Sequence, residues 1–328
     1  MTGQELASAN RKPTRDGVLR AMDKLAAILP KTPLMPLEID GQTIWCKAEM
    51  LQPIGAFKIR GAWHRLSDLS ADERARGVVG VSSGNHAQGV AWAARKLGIA
   101  ATIVMPSNAP QMKLAATKAL GAQVVLYDRV TESREVVAAG VIGDSGATLV
   151  HAFGDPWVIE GQGTAGLEIA AQLQALGING PDRIISCCGG GGLASGLALA
   201  CPEAEICIVE PEGWDDIIRS LAAGKILPVD DLHYPTYCDA LQTPQTYPVN
   251  FDILRERVSQ GVSVSTAEVA TAMRVVFEKL HLVVEPGGAV ALAAVLAGKM
   301  AVKGTTAVTL SGGNVDRDLF VKLLSQAA

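Results

Sequence analysis

Short apolar, β-branched runs alternate with longer segments of helical spacing over most of this 328-residue chain. The runs at 43–47, 78–81, 101–105, 123–127, 148–151, 183–188, 206–210 and 307–310 predict strands. The segments 87–97, 111–120, 133–142, 158–176 and 193–200 predict helices, and another helical pattern begins around Lys58. Near the C-terminal end, Ser265-Thr-Ala-Glu268 reads as a capping box. It opens a helix with Val269, Met273, Val276, Phe277 and Leu280 on one face. Alternation of this kind predicts an α/β fold of parallel sheets with helices on both faces. The longest irregular region is the Pro-containing stretch 227–249, a length that points to a functional loop.

Composition narrows the picture. The length suits two α/β domains, or one large domain with an insertion. Hydrophobic residues make up 48% and charged residues 19%, enough to bury a sizeable core. A net charge of −4 gives no basic field for nucleic acid or an anionic membrane, and 4% aromatics offer few stacking platforms for bases. No leader-like segment or bilayer-length apolar run is evident, so a soluble, cytoplasmic protein is expected. Cys46, Cys187, Cys188, Cys201, Cys207 and Cys238 form no CxxC pair and lack zinc-ligand spacing. They read as buried thiols acting as small hydrophobes.

Four segments carry chemistry. In Gln52-Pro-Ile-Gly-Ala-Phe-Lys58-Ile-Arg-Gly, a turn delivers a lysine into apolar company. Desolvation there disfavours the ammonium form and makes the amine a better nucleophile toward an aldehyde. Val81-Ser-Ser-Gly-Asn85-His86 lies between a strand and a helix, where backbone N–H groups and the helix N-terminus favour an anion. Gly189-Gly-Gly-Gly192-Leu193 follows a strand and precedes a helix, so its amides can wrap a phosphate. This segment taken alone also fits a dinucleotide fingerprint, with Glu210 placed as the ribose-binding acid of a nicotinamide enzyme. The fourth, Leu310-Ser311-Gly-Gly-Asn314, could be a helix cap or could offer a neutral hydroxyl to a ring nitrogen. Three of the four fall at predicted strand carboxyl ends, where α/β proteins build their sites.

In order and spacing these motifs resemble the fold-type II pyridoxal-phosphate enzymes, specifically the threonine dehydratase and serine racemase group. The resemblance runs from Thr32-Pro-Leu to Ser311-Gly-Gly-Asn. It implies two open, twisted, mainly parallel sheets flanked by helices (tryptophan synthase beta-like). Residues 1–66 and 155–328 would form a large cofactor-binding domain, with 67–154 a small domain inserted in it. It implies pyridoxal 5′-phosphate as cofactor, carried on Lys58 as a Schiff base with Phe57 beside it. Asn85 would bond the ring oxygen, Gly189, Gly190, Gly191, Gly192 and Leu193 the phosphate, and Ser311 the pyridine nitrogen. Ser82, Asn85 and His86 would hold the substrate carboxylate. Lys58 would act as base at Cα, and Ser83 matches the opposite-face acid/base of serine racemases. Glu210, the Trp214 carbonyl and Asp216 match the family's divalent-metal loop, whose oxygen ligands suit Mg²⁺ or Ca²⁺.

The activity so implied is conversion of a β-hydroxy amino acid such as L-threonine or L-serine to a 2-oxo acid and ammonia, in a homodimer or homotetramer. Serine racemase and 3-hydroxyaspartate dehydratase are the alternatives within the family; Arg134 is the one candidate cation for a distal carboxylate. The chain departs from the family's Thr-Gly-Ser-Phe-Lys pattern at Ile54 and Ala56, which lack the two hydroxyls, and carries Phe153 where asparagine is common. Ending soon after Ser311, it is not expected to carry an effector-binding domain.

Overall fold

The computed structural model describes residues 11–82, 84–109, 111–128 and 130–326. Among these residues the alternation becomes ten strands: β1 (Leu34–Ile39), β2 (Gln42–Ala48), β3 (Val78–Val81), β4 (Ala101–Pro106), β5 (Gln123–Tyr127), β6 (Thr148–Val150), β7 (Arg183–Cys187), β8 (Glu205–Pro211), β9 (Val258–Val264) and β10 (Thr306–Leu310). They form two sheets. One has the order β1-β2-β10-β7-β8-β9, the other β5-β4-β3-β6. All pairings are parallel except β1 with β2. The smaller sheet uses one continuous stretch of chain, and the larger is assembled from strands on both sides of it.

The larger sheet holds the main core. Its inner strands β7, β8 and β10 show no alternation: nearly every residue is buried, as expected for parallel strands covered on both faces. The helix Pro286–Leu296 packs against these strands and is buried along most of its length. All six cysteines are free and buried, in line with the sequence reading. Among the described residues no helix is long and apolar enough to cross a membrane.

The capping box at Ser265 and Glu268 is present, but one helix face differs from expectation. Val269, Met273, Val276 and Leu280 are buried, whereas Phe277 is 46% exposed. The α-helix ends at Val275 and continues as a π-turn over Val276–Leu280. The wider turn advances each residue by less than the α-helical angle and swings Phe277 outward. There it meets the Phe320 ring edge-on at 5.8 Å.

A buried ionic network fixes the helix Lys58–Ser67. The Arg60 guanidinium donates to both Glu49 oxygens at 2.7 and 2.8 Å and to both Glu168 oxygens at 2.8 Å. Lys47 Nζ also donates to Glu168 (2.7 Å), to Gln172 (2.8 Å) and to the Thr32 carbonyl (2.7 Å). Buried charges lose hydration, and only saturated bonding of this kind offsets that cost. The network ties β2, the helix Pro156–Ala175 and the start of the Lys58 helix into one rigid corner.

Candidate active site

Lys58 is the first residue of its helix. The turn before it closes through Gly55 N–H to Gln52 O at 2.7 Å, with Gly55 at φ +72°. A Cβ at Gly55 would meet Asn314 Oδ1 at 2.6 Å, so the turn admits only glycine in this setting. The segment then pairs with the loop after β10: Phe57 N–H donates to Ser311 O (3.1 Å), and Gly313 N–H to Gly55 O (2.9 Å). That short pairing sets the lysine beside Ser311. Ile54 and Ala56, which replace the hydroxyl residues, are both buried, and Ala56 packs beside Gly312.

One cleft collects the predicted residues. Phe57, Lys58, Ser82, Asn85, His86, the four glycines 189–192, Leu193 and Ser311 all line it. Ser83 lies outside the described residues. Lys58 Nζ donates to the Ala152 carbonyl at 2.8 Å. Burial pulls its pKa down to about 8, with the Cys187 thiol opposing weakly.

The glycine turn connects β7 to the helix Gly192–Ala200. Its neighbours press on it from several sides. A Cβ at Gly190 would strike the Phe153 ring at 2.3 Å, and one at Gly192 would meet Phe153 Cβ at 2.9 Å. Gly191 sits at φ +89°. Among the described residues, no hydrogen-bond acceptor faces the N–H of Gly189, Gly190, Gly191, Gly192 or Leu193. Five orphan donors at a helix N-terminus, with no side chain in the way, are chemically suited to a phosphate. A desolvated amine in the same cleft suits an aldehyde, so the residues fit pyridoxal phosphate.

Asn85 opens the helix Asn85–Leu97. His86 is buried, and its Nε2 lies 2.8 Å from the Val150 carbonyl, which fixes the ring proton there. Burial, with Lys58 adding, pushes its pKa down to about 3, so the ring is neutral. A ring in this state has no N–H left for a carboxylate. Any grip by His86 must come from its backbone N–H, a correction to the side-chain role the motif suggested. Ser82 Oγ accepts from Gly84 N–H at 3.1 Å and keeps its own hydroxyl proton for another acceptor.

Glu210, Trp214 and Asp216 do not line the cleft. Glu210 is fully buried at the end of β8, where its carboxylate accepts from Ile217 N–H (3.3 Å) and Ile218 N–H (2.8 Å). Asp216 Oδ2 accepts from Thr246 N–H at 3.1 Å, and the Thr246 hydroxyl donates to Gly190 O at 3.2 Å. Burial and the nearby Asp216 hold the Glu210 carboxyl well above its usual range, and burial raises Asp216 to about 7. Two buried acids so placed suit a divalent cation. Among the described residues no group of three or more His, Cys, Asp or Glu side chains forms a metal cluster, and the expected set holds only two such side chains.

The sequence reading missed several cleft residues. Lys113, Asp239, Glu285, Phe153 and Tyr247 all line it. Phe153 and Tyr247 pack with the His151 ring at centroid distances of 4.6 and 4.4 Å, forming an aromatic wall. The stretch 227–249 supplies Asp239 and Tyr247, so its irregularity serves the site. Of these residues, Glu285 alone had a usable local signal, since Glu285-Pro286 after an apolar run marks a helix start.

Comparison with known proteins agrees with this geometry. The family model described as pyridoxal-phosphate dependent enzyme matches residues 27–312. The L-threo-3-hydroxyaspartate ammonia-lyase of Pseudomonas sp is 40% identical over 94% of this chain and 97% of that protein. The serine racemase of Schizosaccharomyces pombe is 37% identical over 96% of this chain and 98% of its own. Among solved structures, a maize serine racemase superposes with a TM-score of 0.88 at 35% identity, covering 96% of this chain and 98% of that one. A bacterial-type threonine deaminase structure superposes with a TM-score of 0.86 at 41% identity, covering 93% of this chain and 99% of its own.

Proposed function

Because this chain belongs to the pyridoxal-phosphate dependent enzyme family, we propose that it is an ammonia-lyase, converting a small β-hydroxy amino acid such as L-serine or L-threonine to a 2-oxo acid and ammonia. The observation that carries this is the Lys58 amine, its basicity lowered by burial, in one cleft with the glycine turn and Ser311. Pyridoxal phosphate, when bound, supplies the electron sink on which breakage of the Cα–H and Cβ–O bonds depends.

The chain's own residues do the rest. The orphan N–H groups from Gly189 to Leu193 hold the phosphate, Asn85 faces the ring oxygen, and Phe57 flanks the ring. Ser311 offers a neutral hydroxyl to the ring nitrogen, which leaves that nitrogen uncharged and favours elimination over transamination. Lys58 Nζ removes the Cα proton, and its lowered pKa keeps a useful fraction of the free base near neutral pH. Ser82, the Asn85 amide and the His86 backbone N–H hold the substrate carboxylate. Ser83 serves as the opposite-face acid/base on the strength of the resemblance, and gives some racemisation beside elimination.

A second reading, 3-hydroxyaspartate as substrate, is favoured by one observation. Arg134 lines the cleft at the start of the helix Arg134–Ser145, where it pairs with Glu135 at 2.7 Å. A distal carboxylate can exchange for Glu135 there. The test is 2-oxo acid release from L-serine, L-threonine and 3-hydroxyaspartate, with chiral analysis of the recovered serine. For 3-hydroxyaspartate as substrate, Arg134→Ala lowers kcat/KM by about 10–100-fold on that compound and by less than about threefold on serine. Equal losses on both contradict a distal-carboxylate role, and no 2-oxo acid from any of the three contradicts the lyase.

We further assign Glu210, the Trp214 carbonyl and Asp216 as a site for Mg²⁺ or Ca²⁺, supported by the two buried, cation-seeking carboxyls. Through Thr246 this site is linked to Gly190. Removing the ion with a chelator lowers the thermal midpoint by about 5 °C, and excess Mg²⁺ restores it. An unchanged melt contradicts the site. The assembly expected from the resemblance is a homodimer or homotetramer.

A further inference from the structure

Asn85 is bonded on both sides by neighbours that leave its amide one orientation. Asn314 Nδ2 donates to the Ile54 carbonyl and to Asn85 Oδ1, each at 2.8 Å. A backbone carbonyl only accepts, so the Asn314 atom facing it is the amide nitrogen, and Asn85 must turn its oxygen toward that same nitrogen. This leaves Asn85 Nδ2 facing Glu285 Oε1, at 2.5 Å.

Glu285 is itself well fixed. It is 1% exposed, caps the helix Pro286–Leu296, and donates its backbone N–H to Gly312 O at 2.9 Å. Lys113 Nζ lies 3.8 Å from its Oε2 and 2.5 Å from Asp239 Oδ2. A polar chain therefore runs from Ile54 through Asn314, Asn85, Glu285 and Lys113 to Asp239. Asn85 and Lys113 come from helices beside the smaller sheet, and the other members come from segments around the larger one. Nothing in the proposed chemistry uses Glu285, yet a buried carboxylate at the cofactor cleft is costly unless it orders something.

We propose that Glu285 is a positioning residue: it takes one N–H of the Asn85 amide so that the second is presented to the ring oxygen of the cofactor, with Lys113 and Asp239 holding the carboxylate in place. This rests on the reading of Asn85 as the ring-oxygen donor. The carboxylate and the amide act as one unit, and disturbing either has the same consequence.

A double-mutant cycle on the holoenzyme tests it, read as cofactor dissociation constant and as the ratio of visible to near-ultraviolet cofactor absorbance. Glu285→Ala weakens cofactor binding by about tenfold and changes the absorbance ratio. Glu285→Gln, which keeps an oxygen acceptor, restores both to within about threefold. In an Asn85→Ala background, Glu285→Ala adds less than about twofold, because the unit is already broken. If Glu285→Ala does not fold, Glu285→Asp, which withdraws the acceptor by one methylene, runs the same cycle. Losses that multiply between the two positions overturn the proposal, as does Glu285→Ala with both readouts at wild type. If Asn85→Ala alone leaves affinity and spectrum unchanged, the reading of Asn85 is what has failed, and the proposal falls with it.

Discussion

Replacing Lys58 with alanine lowers turnover by roughly 10²–10⁴-fold and removes the visible absorbance of a covalently held cofactor. Lys58 Nζ is the one amine in the cleft without a carboxylate partner among the described residues: it bonds a neutral carbonyl, Ala152 O, whereas Lys113 is paired with Asp239. At a pKa of about 8, roughly a tenth of Lys58 is the free base at pH 7, against about one part in 2,500 for an ordinary lysine. The sign follows. Lowering the pKa enriches the proton-accepting form, so turnover rises with pH through about 8 and falls below it. Lys58→Arg separates charge from chemistry, because arginine keeps a cation near Ala152 O but cannot serve as a base or join an aldehyde. It is as inactive as the alanine variant. Substantial activity in either variant contradicts the role of Lys58.

Gly190→Val has the second-largest effect. The new Cβ would lie 2.3 Å from the Phe153 ring, and that ring cannot step aside. It is packed against the rings of His151 and Tyr247 at 4.6 and 5.3 Å, and its backbone is held by the Asn250 side chain at 3.1 Å. The strain, about 1–3 kcal/mol for an overpacked position, therefore displaces the turn and its orphan N–H groups. Cofactor affinity falls by at least about tenfold, with far-ultraviolet circular dichroism unchanged. Gly143→Ala is the control: a Cβ there meets nothing within 4 Å, and it lies in the helix Arg134–Ser145. Calorimetric titration of the cofactor checks both. Wild-type affinity in Gly190→Val contradicts the phosphate cup.

The loops of this site were legible because each is built from residues whose local chemistry is unusual. Four glycines, a Ser-Ser-Gly-Asn turn and a Ser-Gly-Gly-Asn turn at strand ends need no tertiary information to stand out. The strands β3 and β5 coincide with the expected 78–81 and 123–127 for a similar reason, being short apolar runs between turn signals. The strands that escaped notice are the two at the edges of the larger sheet. β1 contains Pro36, which breaks a strand pattern but is tolerated at an edge. β9 reads Val-Ser-Gln-Gly-Val-Ser-Val, half polar, and carries a register shift against β8.

Helices were missed where burial erased periodicity. Pro286–Leu296 has no polar face to set against an apolar one. The Lys113–Asp239–Glu285 cluster was invisible for another reason. Its members are separated by more than a hundred residues or lie in an irregular loop, so only the folded chain brings them together. The missing hydroxyls at Ile54 and Ala56 looked like a gap in the chemistry. In the fold both side chains are buried, and the polar work nearby passes to the Ile54 carbonyl and Asn314.

Borohydride reduction of the purified holoenzyme, followed by proteolysis and mass mapping, tests the central claim most directly. Two described lysines line the cleft, Lys58 and Lys113, so the experiment has to choose between them. The account predicts bleaching of the yellow colour and a single pyridoxyl group on the peptide containing Lys58. The same group on Lys113, on another lysine, or on none would contradict it.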